Sequence, residues 1–244
     1  KERLSLLGIY SGKYRLLSNV PVAIASSLGT SMIPSIVNSR TRKQSGEVKS
    51  KIRLTIKFNM LIAIHCAVGM GVLAGPIMQL LFRDKRLLTA TLMQIGAPAV
   101  VFFSLSTVTN SVLQGIDLMK KSVTHSAISL AIHAVLVYVM LEYLEWGVYG
   151  LVIGNVTFAL VVCILNWISI GRALRYRQEV KTTFLLPLLA SLIMGIVTLA
   201  SYTLMHLITH SNLASLAVSV PLSMAVYRLL IILFQVVTEE ELPD

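Results

Sequence analysis

The stretch "LVIGNVTFALVVCILNWISI", residues 151–170, contains no charged side chain. As a helix it would be about 30 Å long, which matches the hydrocarbon core of a bilayer. Similar apolar runs recur along the 244 residues, which are 55% hydrophobic and only 13% charged, with a mean hydropathy of +0.78. An ordinary soluble domain carries about 25% charged residues. The sequence therefore predicts an all-α integral membrane protein, a polytopic helical bundle.

Charged or polar breaks divide the apolar sequence into seven predicted transmembrane helices. Their approximate bounds are 11–38, 54–82, 88–116, 122–143, 147–170, 184–207 and 213–237. Seven helices fit one lobe of a two-lobed transporter rather than the whole of one. Since the chain also starts at Lys1 without Met, we expect a piece of a longer protein whose N-terminal lobe is absent.

Basic residues are concentrated in every second loop. The basic loops carry Arg40, Arg42, Lys43, Lys49, Lys51, Arg53, Lys120, Lys121, Arg172, Arg175, Arg177 and Lys181. Short basic loops stay on the cytoplasmic side, so we expect these loops and the acidic tail 238–244 to be cytoplasmic, and 142–146 to be external. Topology thus accounts for the net charge of +10, and no nucleic acid partner is expected. The predicted location is a membrane that the chain crosses several times, with these loops on the cytoplasmic side.

Two predicted spans are rich in small and polar residues. They contain "SNVPVAIASSLGTSMIPSIVNS" at 18–39 and "GAPAVVFFSLSTVTNSVLQG" at 96–115. Such helices face either other helices, which small side chains let approach closely, or a water-filled cavity. Asn19, Asn110 and Gln114 are candidate cavity residues, and simple packing is an equal alternative for each.

Charges inside spans are the sharpest functional indicators, because a charge at mid-bilayer costs roughly 2.5–3.5 kcal/mol on insertion scales. Lys13 and Arg15 lie near the outer end of the first span. Either could reach the headgroups, or could project into a cavity and hold an anionic headgroup. Arg228 occupies a cavity position or a buried structural contact, and Lys57 is expected to reach the cytoplasmic interface.

Titratable and metal-binding groups are scarce in the spans. His65 and His133 are expected to be packing residues more than proton relays, and to be the only span groups that titrate near neutral pH. His206 and His210 have the spacing of a helical metal clamp, but two ligands are too few to predict a metal. No metal, cofactor or catalytic residue is expected. The spans carry no carboxylate away from their ends.

Three segments carry a family resemblance: "LGIYSGKYRLLSNVPVAIASSLGTSMIPSI" at 7–36, "QIGAPAVVFFSLSTVTNSVLQGI" at 94–116 and "VVTEEELPD" at 236–244. They resemble the stage V sporulation protein B family of polysaccharide transporters, related to the MurJ lipid II flippases, in the multidrug/oligosaccharidyl-lipid/polysaccharide exporter superfamily. The resemblance implies a fourteen-helix protein of which this chain supplies helices eight to fourteen. It also implies two lobes around a cationic cavity that opens alternately to each side of the membrane.

The implied substrate is a lipid pyrophosphate carrying a sugar, or another anionic lipid. In the relatives a cavity arginine precedes a proline, as Arg15 precedes Pro21. The spacing differs by one residue, so the resemblance leaves the role open between Lys13 and Arg15. A pyrophosphate needs compensating cations once it leaves water, and arginine supplies a forked donor.

Three other functions compete with this one. A multidrug antiporter of the same superfamily would favour aromatic and acidic cavity residues, which are scarce here. A membrane enzyme acting on polyprenyl-linked sugars would need carboxylates at membrane depth. A non-transporting scaffold for cell-wall assembly fits poorly with polar, proline-containing helices.

Overall fold

The computed structural model describes residues 8–237, so the acidic tail 238–244 lies outside the described residues. The described helices are α1 (Arg15–Thr41), α2 (Ser45–Val72), α3 (Ala74–Phe82), α4 (Leu87–Gly115), α5 (Met119–Glu142), α6 (Val148–Leu174), α7 (Leu186–Thr209) and α8 (Asn212–Leu233). A π-helical turn, Tyr10–Tyr14, leads directly into α1, and another, Lys181–Leu185, leads into α7.

Seven of these helical segments are long and apolar enough to cross a membrane; the exception is α3. No strand occurs between residues 8 and 237. The predicted fold class and the predicted number of spans are therefore confirmed: the protein is an all-α polytopic membrane protein.

The second span differs from its predicted bounds of 54–82. Helix α2 ends at Val72, and the separate short helix α3 follows after Leu73. The break has a local cause, because Pro76 lacks the N–H that would bond to the Val72 carbonyl of a continuous helix. The carbonyl of Pro76 instead accepts a hydrogen bond from Asn212 Nδ2 of α8 at 3.0 Å.

The predicted polar loop 39–53 is mostly helical. Helix α1 continues to Thr41, and α2 begins at Ser45, so only a tight turn separates them. Lys51 pairs with Glu47 one turn earlier in α2 at 2.6 Å, and reaches across the connection to Ser39 Oγ of α1 at 2.7 Å. Lysine, glutamate and serine are compatible with a helix outside the lipid, so hydropathy detects the membrane boundary here but not the helix boundary.

Helix α4 forms the centre of the bundle and is contacted by α1, α2 and α6. Small residues let α1 and α4 approach closely. A methyl group on Gly29 of α1 would lie 2.6 Å from Ser111 Oγ of α4, and one on Gly115 of α4 would lie 3.0 Å from the Ile36 side chain of α1. This packing of small residues is typical of membrane helix pairs, and it fixes which face of α1 is turned away from the bundle.

Helices α7 and α8 form a pair that packs on α2. Tyr227 of α8 donates its hydroxyl hydrogen to the Leu61 carbonyl of α2 at 2.8 Å, and its ring stacks on His65 with centroids 4.9 Å apart. The exposed side chains of the pair are mostly apolar and include Leu199, Leu207 and Leu229. It has the composition of a lipid-facing surface.

Candidate functional site

Helix α1 has a buried side and an exposed side, and the exposed side carries apolar Leu16, Val20, Ile24 and Val37 as well as polar residues. The buried face consists of Ser18, Pro21, Ala25, Gly29, Ile36 and Ser39. On the exposed side, polar side chains occur along the length of the helix; we call this set the polar face of α1, namely Arg15, Asn19, Ser26, Ser27, Thr30, Ser31 and Asn38. The buried face contacts α2 and α4, so the polar face is turned away from both.

Three of the four hydroxyl groups of the polar face, those of Ser27, Thr30 and Ser31, donate to carbonyls of their own helix. Ser27 donates to the Ala23 carbonyl at 3.1 Å, Thr30 to the Ser26 carbonyl at 2.9 Å, and Ser31 to the Leu28 carbonyl at 2.9 Å. Each hydroxyl therefore has its hydrogen satisfied and keeps an acceptor lone pair for an outside donor. A row of such acceptors suits the hydroxyl groups of a sugar.

Other exposed spans lack this character. In α5, which is less buried than α1, the exposed side chains include Val123, Ile128, Leu130, Ile132 and Val135. In α7 they include Leu188, Leu189, Leu192, Ile193 and Ile196. The exposed sides of α5 and α7 are compatible with contact to lipid. The polar side chains of α1 are more stable in contact with water, protein or a polar ligand.

Lys13 lies in an ion pair beside the N-terminal end of this helix. Its ammonium nitrogen is 2.5 Å from Asp84 Oδ2, and the Asp84 side chain is only 4% exposed. Arg86 donates to both oxygens of the same carboxylate, and the Thr89 hydroxyl donates to one of them at 2.9 Å. Lys13 also lies 5.8 Å from the centroid of the Phe82 ring.

This ion cluster keeps Asp84 charged. The Arg86 side chain is the largest cause that holds the pKa of the Asp84 carboxyl far below its usual range; burial opposes it, and Lys13, the Arg86 backbone N–H and Thr89 contribute further. Lys13 is thus the partner of a carboxylate that is ionised at neutral pH. Arg15, by contrast, has an exposed side chain, and it forms no ion pair with any other residue between 8 and 237.

The other candidates lie apart from one another. Asn19 lies on the polar face, one turn after Arg15. Gln114, in the last turn of α4, lines an open recess of about 420 Å³ together with Arg40 and Asp117. It belongs to the opposite end of the bundle from Arg15.

Arg228 is exposed on α8, between exposed Met224 and Ile232. Within the described residues it therefore does not form a buried structural contact, one of the two predicted roles. Because α8 ends at Leu233, the guanidinium is about 8 Å along the helix from its end and can reach the headgroups. It does not join the polar face of α1.

Asn110 takes part in a buried polar network between α4, α5 and α6. Its side-chain oxygen accepts hydrogen bonds from Ser122 Oγ and Asn166 Nδ2, both at 2.8 Å. Asn166 also bonds to Thr109 Oγ1 at 3.0 Å and to His125 Nδ1 at 2.8 Å. Such a network fixes the three helices relative to one another.

Two members of this network were missed by sequence reasoning. His125 is 8% exposed and Asn166 is fully buried, and His125 lies inside the predicted span 122–143. Sequence reasoning considered only His65 and His133 as histidines inside the spans, so it overlooked His125. A signal was present, since a histidine and an asparagine inside apolar runs each need a partner at membrane depth.

The remaining span residues have structural surroundings. His65 Nδ1 is 3.0 Å from the Leu61 carbonyl and its ring stacks on Tyr227, as expected for a packing residue. His133 meets the edge of Phe158 with ring centroids 5.9 Å apart. Lys57 is only 4% exposed, so the expectation that it reaches the headgroups is wrong; α2 begins at Ser45, which places Lys57 well inside the bundle.

Comparison with known proteins shows where this architecture belongs. A family model described as lipid II flippase MurJ matches residues 14–218. The lipid II flippase MurJ of Bacillus subtilis is 28% identical over 80% of this chain and 36% of its own length, and the probable lipid II flippase MurJ of Bdellovibrio bacteriovorus is 26% identical over 86% and 41%. Stage V sporulation protein B of Bacillus subtilis is 21% identical over 96% and 45%.

The chain spans less than half the length of each of these relatives. The matched region runs from the π-helical turn before α1 to the middle of α8, so it includes the polar face of α1 and the buried network. The relatives are bacterial and the chain is a multi-pass membrane protein. The chain belongs to the MurJ lipid II flippase family.

Proposed function

We propose that the chain is the C-terminal lobe of a bacterial flippase, which moves a lipid-linked saccharide pyrophosphate of the lipid II class across the cytoplasmic membrane. An N-terminal lobe of the same protein completes the transporter. Family membership and the substrate in the relatives' names support this proposal. Movement of an intact lipid requires no covalent step.

The observation that carries the proposal is the polar face of α1. A membrane helix whose exposed side holds an arginine, two asparagines and several hydroxyl groups is poorly placed against lipid. We propose that this face lines the cavity between the two lobes, with Arg15 binding the pyrophosphate and the hydroxyl groups meeting the sugar. Rocking of one lobe against the other would then expose the cavity to each side in turn.

A pair of matched substitutions tests this assignment. Thr30 on α1 and Thr203 on α7 are both exposed, and each donates its hydroxyl to a carbonyl four residues earlier, at 2.9 and 2.8 Å. Their local structural roles are therefore alike, but Thr203 has exposed Leu199 and Leu204 as neighbours. Changing Thr30→Leu should slow transport of the lipid-linked saccharide, whereas Thr203→Leu should not.

The measurement is transport of the labelled lipid-linked saccharide by the intact protein in vesicles, at equal amounts of folded protein. Equal rates for wild type, Thr30→Leu and Thr203→Leu would remove α1 from the proposed cavity. A change in sugar or phosphate release from the lipid would instead favour an enzyme.

The orientation of the chain in the membrane belongs to the same proposal. The distribution of basic residues favours a cytoplasmic turn between α1 and α2 and an external turn between α5 and α6. Cysteines introduced at exposed Lys43 and Glu145 distinguish the two sides. In intact cells, an impermeant thiol reagent should label Glu145→Cys and spare Lys43→Cys, and the reverse pattern would invert the topology.

We further propose that this lobe contains no carboxylate site for a coupling ion, because its spans carry no acidic residue away from their ends. The membrane potential could act directly on the anionic headgroup, at about 2.3 kcal/mol per charge per 100 mV. His65, His125 and His133 are the remaining groups to test. If changing all three to Gln abolishes the response to a proton gradient but not to a potential, a coupling site lies in this lobe.

A further inference from the structure

Three arginines surround a recess at the end of α6. Arg172 lies in the last helical turn, Arg175 follows as its cap with a left-handed backbone (φ 48°), and Arg177 comes next; all three are exposed. Together with Trp167 they line an open recess of about 670 Å³ whose lining residues include no carboxylate. The recess is therefore strongly cationic.

The segment that carries these arginines is fixed to the bundle. The Tyr176 N–H donates to the Gly171 carbonyl at 3.2 Å, and the Tyr176 hydroxyl donates to Gln178 Oε1. Gln178 is itself 5% exposed and donates from Nε2 to Thr183 Oγ1 at 2.7 Å. The arginines thus extend from an ordered connection, so less freedom is lost when they bind a ligand.

An apolar groove continues from this recess into the membrane-spanning region. It has a volume of about 310 Å³ and lies between α4 and α6, with Phe102 and Leu105 on one side and Leu160 and Ile164 on the other. The recess and the groove share Trp167 and Ile168. The two form one continuous surface, cationic at the membrane end and apolar along the helices.

We propose that the recess and the groove together bind an anionic phospholipid of the adjacent leaflet, with the phosphate between the arginines and an acyl chain in the groove. Charge complementarity selects a headgroup with a net negative charge, and arginine binds its phosphate with a forked pair of donors. The continuous apolar groove selects a lipid over a soluble phosphate. Trp167 lies where the two parts meet, the depth that tryptophan favours at a membrane interface.

This site is separate from the proposed transport surface. Gly96 of α4 packs against Tyr14 of the π-helical turn that leads into α1, and Ser111 of α4 packs against Gly29 of α1, whereas Phe102 and Leu105 of α4 line the groove beside α6. A phospholipid here therefore does not compete for the polar face of α1, and the inference stands whether or not the protein is a flippase. Each arginine near an anionic surface favours binding about fivefold, so three favour it by about a hundredfold.

Photocrosslinking tests the site on the intact protein. The protein is reconstituted with phosphatidylglycerol or phosphatidylcholine carrying the same diazirine-labelled acyl chain, and the crosslinked residues are identified by mass spectrometry. We expect crosslinks on 160–168 with a preference of about a hundredfold for phosphatidylglycerol. The triple variant Arg172→Gln, Arg175→Gln, Arg177→Gln should reduce that preference to about one.

The matched control is the triple variant Lys43→Gln, Lys120→Gln, Lys121→Gln, which removes three exposed positive charges outside the recess. Lys43 has a positive φ, as Arg175 has, so both triple variants change one residue with a left-handed backbone. It should keep the preference. A second variant, Ile164→Trp, fills the groove but keeps the arginines, and should suppress crosslinking by both lipids.

Three results would each overturn the proposal. The lysine control could lose the preference for phosphatidylglycerol as fully as the arginine variant, the arginine variant could keep that preference, or the crosslinks could lie away from 160–168. Displacement of the lipid by millimolar inorganic phosphate would also overturn the proposal, because the arginines would then bind small anions without needing the acyl chain in the groove.

Discussion

Lys13 and Arg15 are two residues apart, and the structure gives them different surroundings that substitutions can separate. Lys13 is paired with buried Asp84, whereas Arg15 is exposed on the polar face of α1 without an ion pair in the described part of the chain. We predict that Lys13→Ala mainly lowers stability and that Arg15→Ala mainly lowers transport.

The magnitudes follow from the contacts. After Lys13→Ala, the Asp84 carboxylate still receives hydrogen bonds from Arg86 and Thr89, so we expect a loss of about 1–2 kcal/mol in the free energy of unfolding rather than complete failure to fold. Arg15→Ala removes little packing. If it removes one charge-assisted hydrogen bond to the substrate phosphate, worth about 1.5–3 kcal/mol, transport falls by roughly 10- to 150-fold.

The assay compares transport of the lipid-linked saccharide in vesicles, after thermal unfolding has established equal amounts of folded protein. Arg15→Lys should restore part of the activity, because lysine keeps the charge but not the forked donor geometry. Arg15→Ala with wild-type transport would refute the reasoning. So would Lys13→Ala if it lost as much transport as Arg15→Ala at equal folded amounts.

Three further outcomes are expected in measurements of thermal unfolding. Gly96→Ala should lower the free energy of unfolding by about 1–3 kcal/mol, because the added methyl group would lie 2.2 Å from the Tyr14 ring. The control Gly69→Ala should not destabilise the protein, because no atom lies within 4 Å of its added methyl group. The pKa of Asp84 in the folded state lies below its unfolded value of about 4. The stability lost in Asp84→Asn should therefore be constant from pH 5 to 8, and should become smaller only as the pH falls below about 4. His125→Phe should cost about 1–3 kcal/mol, because it leaves buried polar partners unsatisfied; an unchanged melting temperature would contradict the structural role of the network.

The number of spans could be predicted from the sequence because it depends on a local quantity, the length of each apolar run relative to the bilayer. The bounds of α2 could not be read from hydropathy alone. The residues from Ser45 to Arg53 are polar and yet helical, and the apolar run up to Phe82 is interrupted by a proline. Hydropathy reports transfer into lipid, whereas helix ends depend on backbone hydrogen bonds.

The chemistry of the candidate site could be predicted only in part. Residue type was sufficient to select Arg15, Asn19 and Asn110 as polar groups in apolar surroundings. It was not sufficient to separate Lys13 from Arg15, because the partner of Lys13 is 71 residues away in sequence. Nor could it show that Asn110 bonds to Asn166, since that contact depends on how α4 and α6 are rotated against each other.

The two faces of α1 fit the proposed role through the way their polar groups are satisfied. Close packing of Gly29 against Ser111 keeps one face rigid on α4. On the other face, Ser27, Thr30 and Ser31 donate their hydroxyl hydrogens to their own helix, so these three groups are not left with unsatisfied donors when substrate is absent. Leaving a buried polar group unpaired costs about 1–3 kcal/mol, and a surface that avoids this cost can accept hydrogen bonds from sugar hydroxyls and release them again. A transporter must do both in each cycle, because a cavity that bound its substrate tightly would hold it on one side of the membrane.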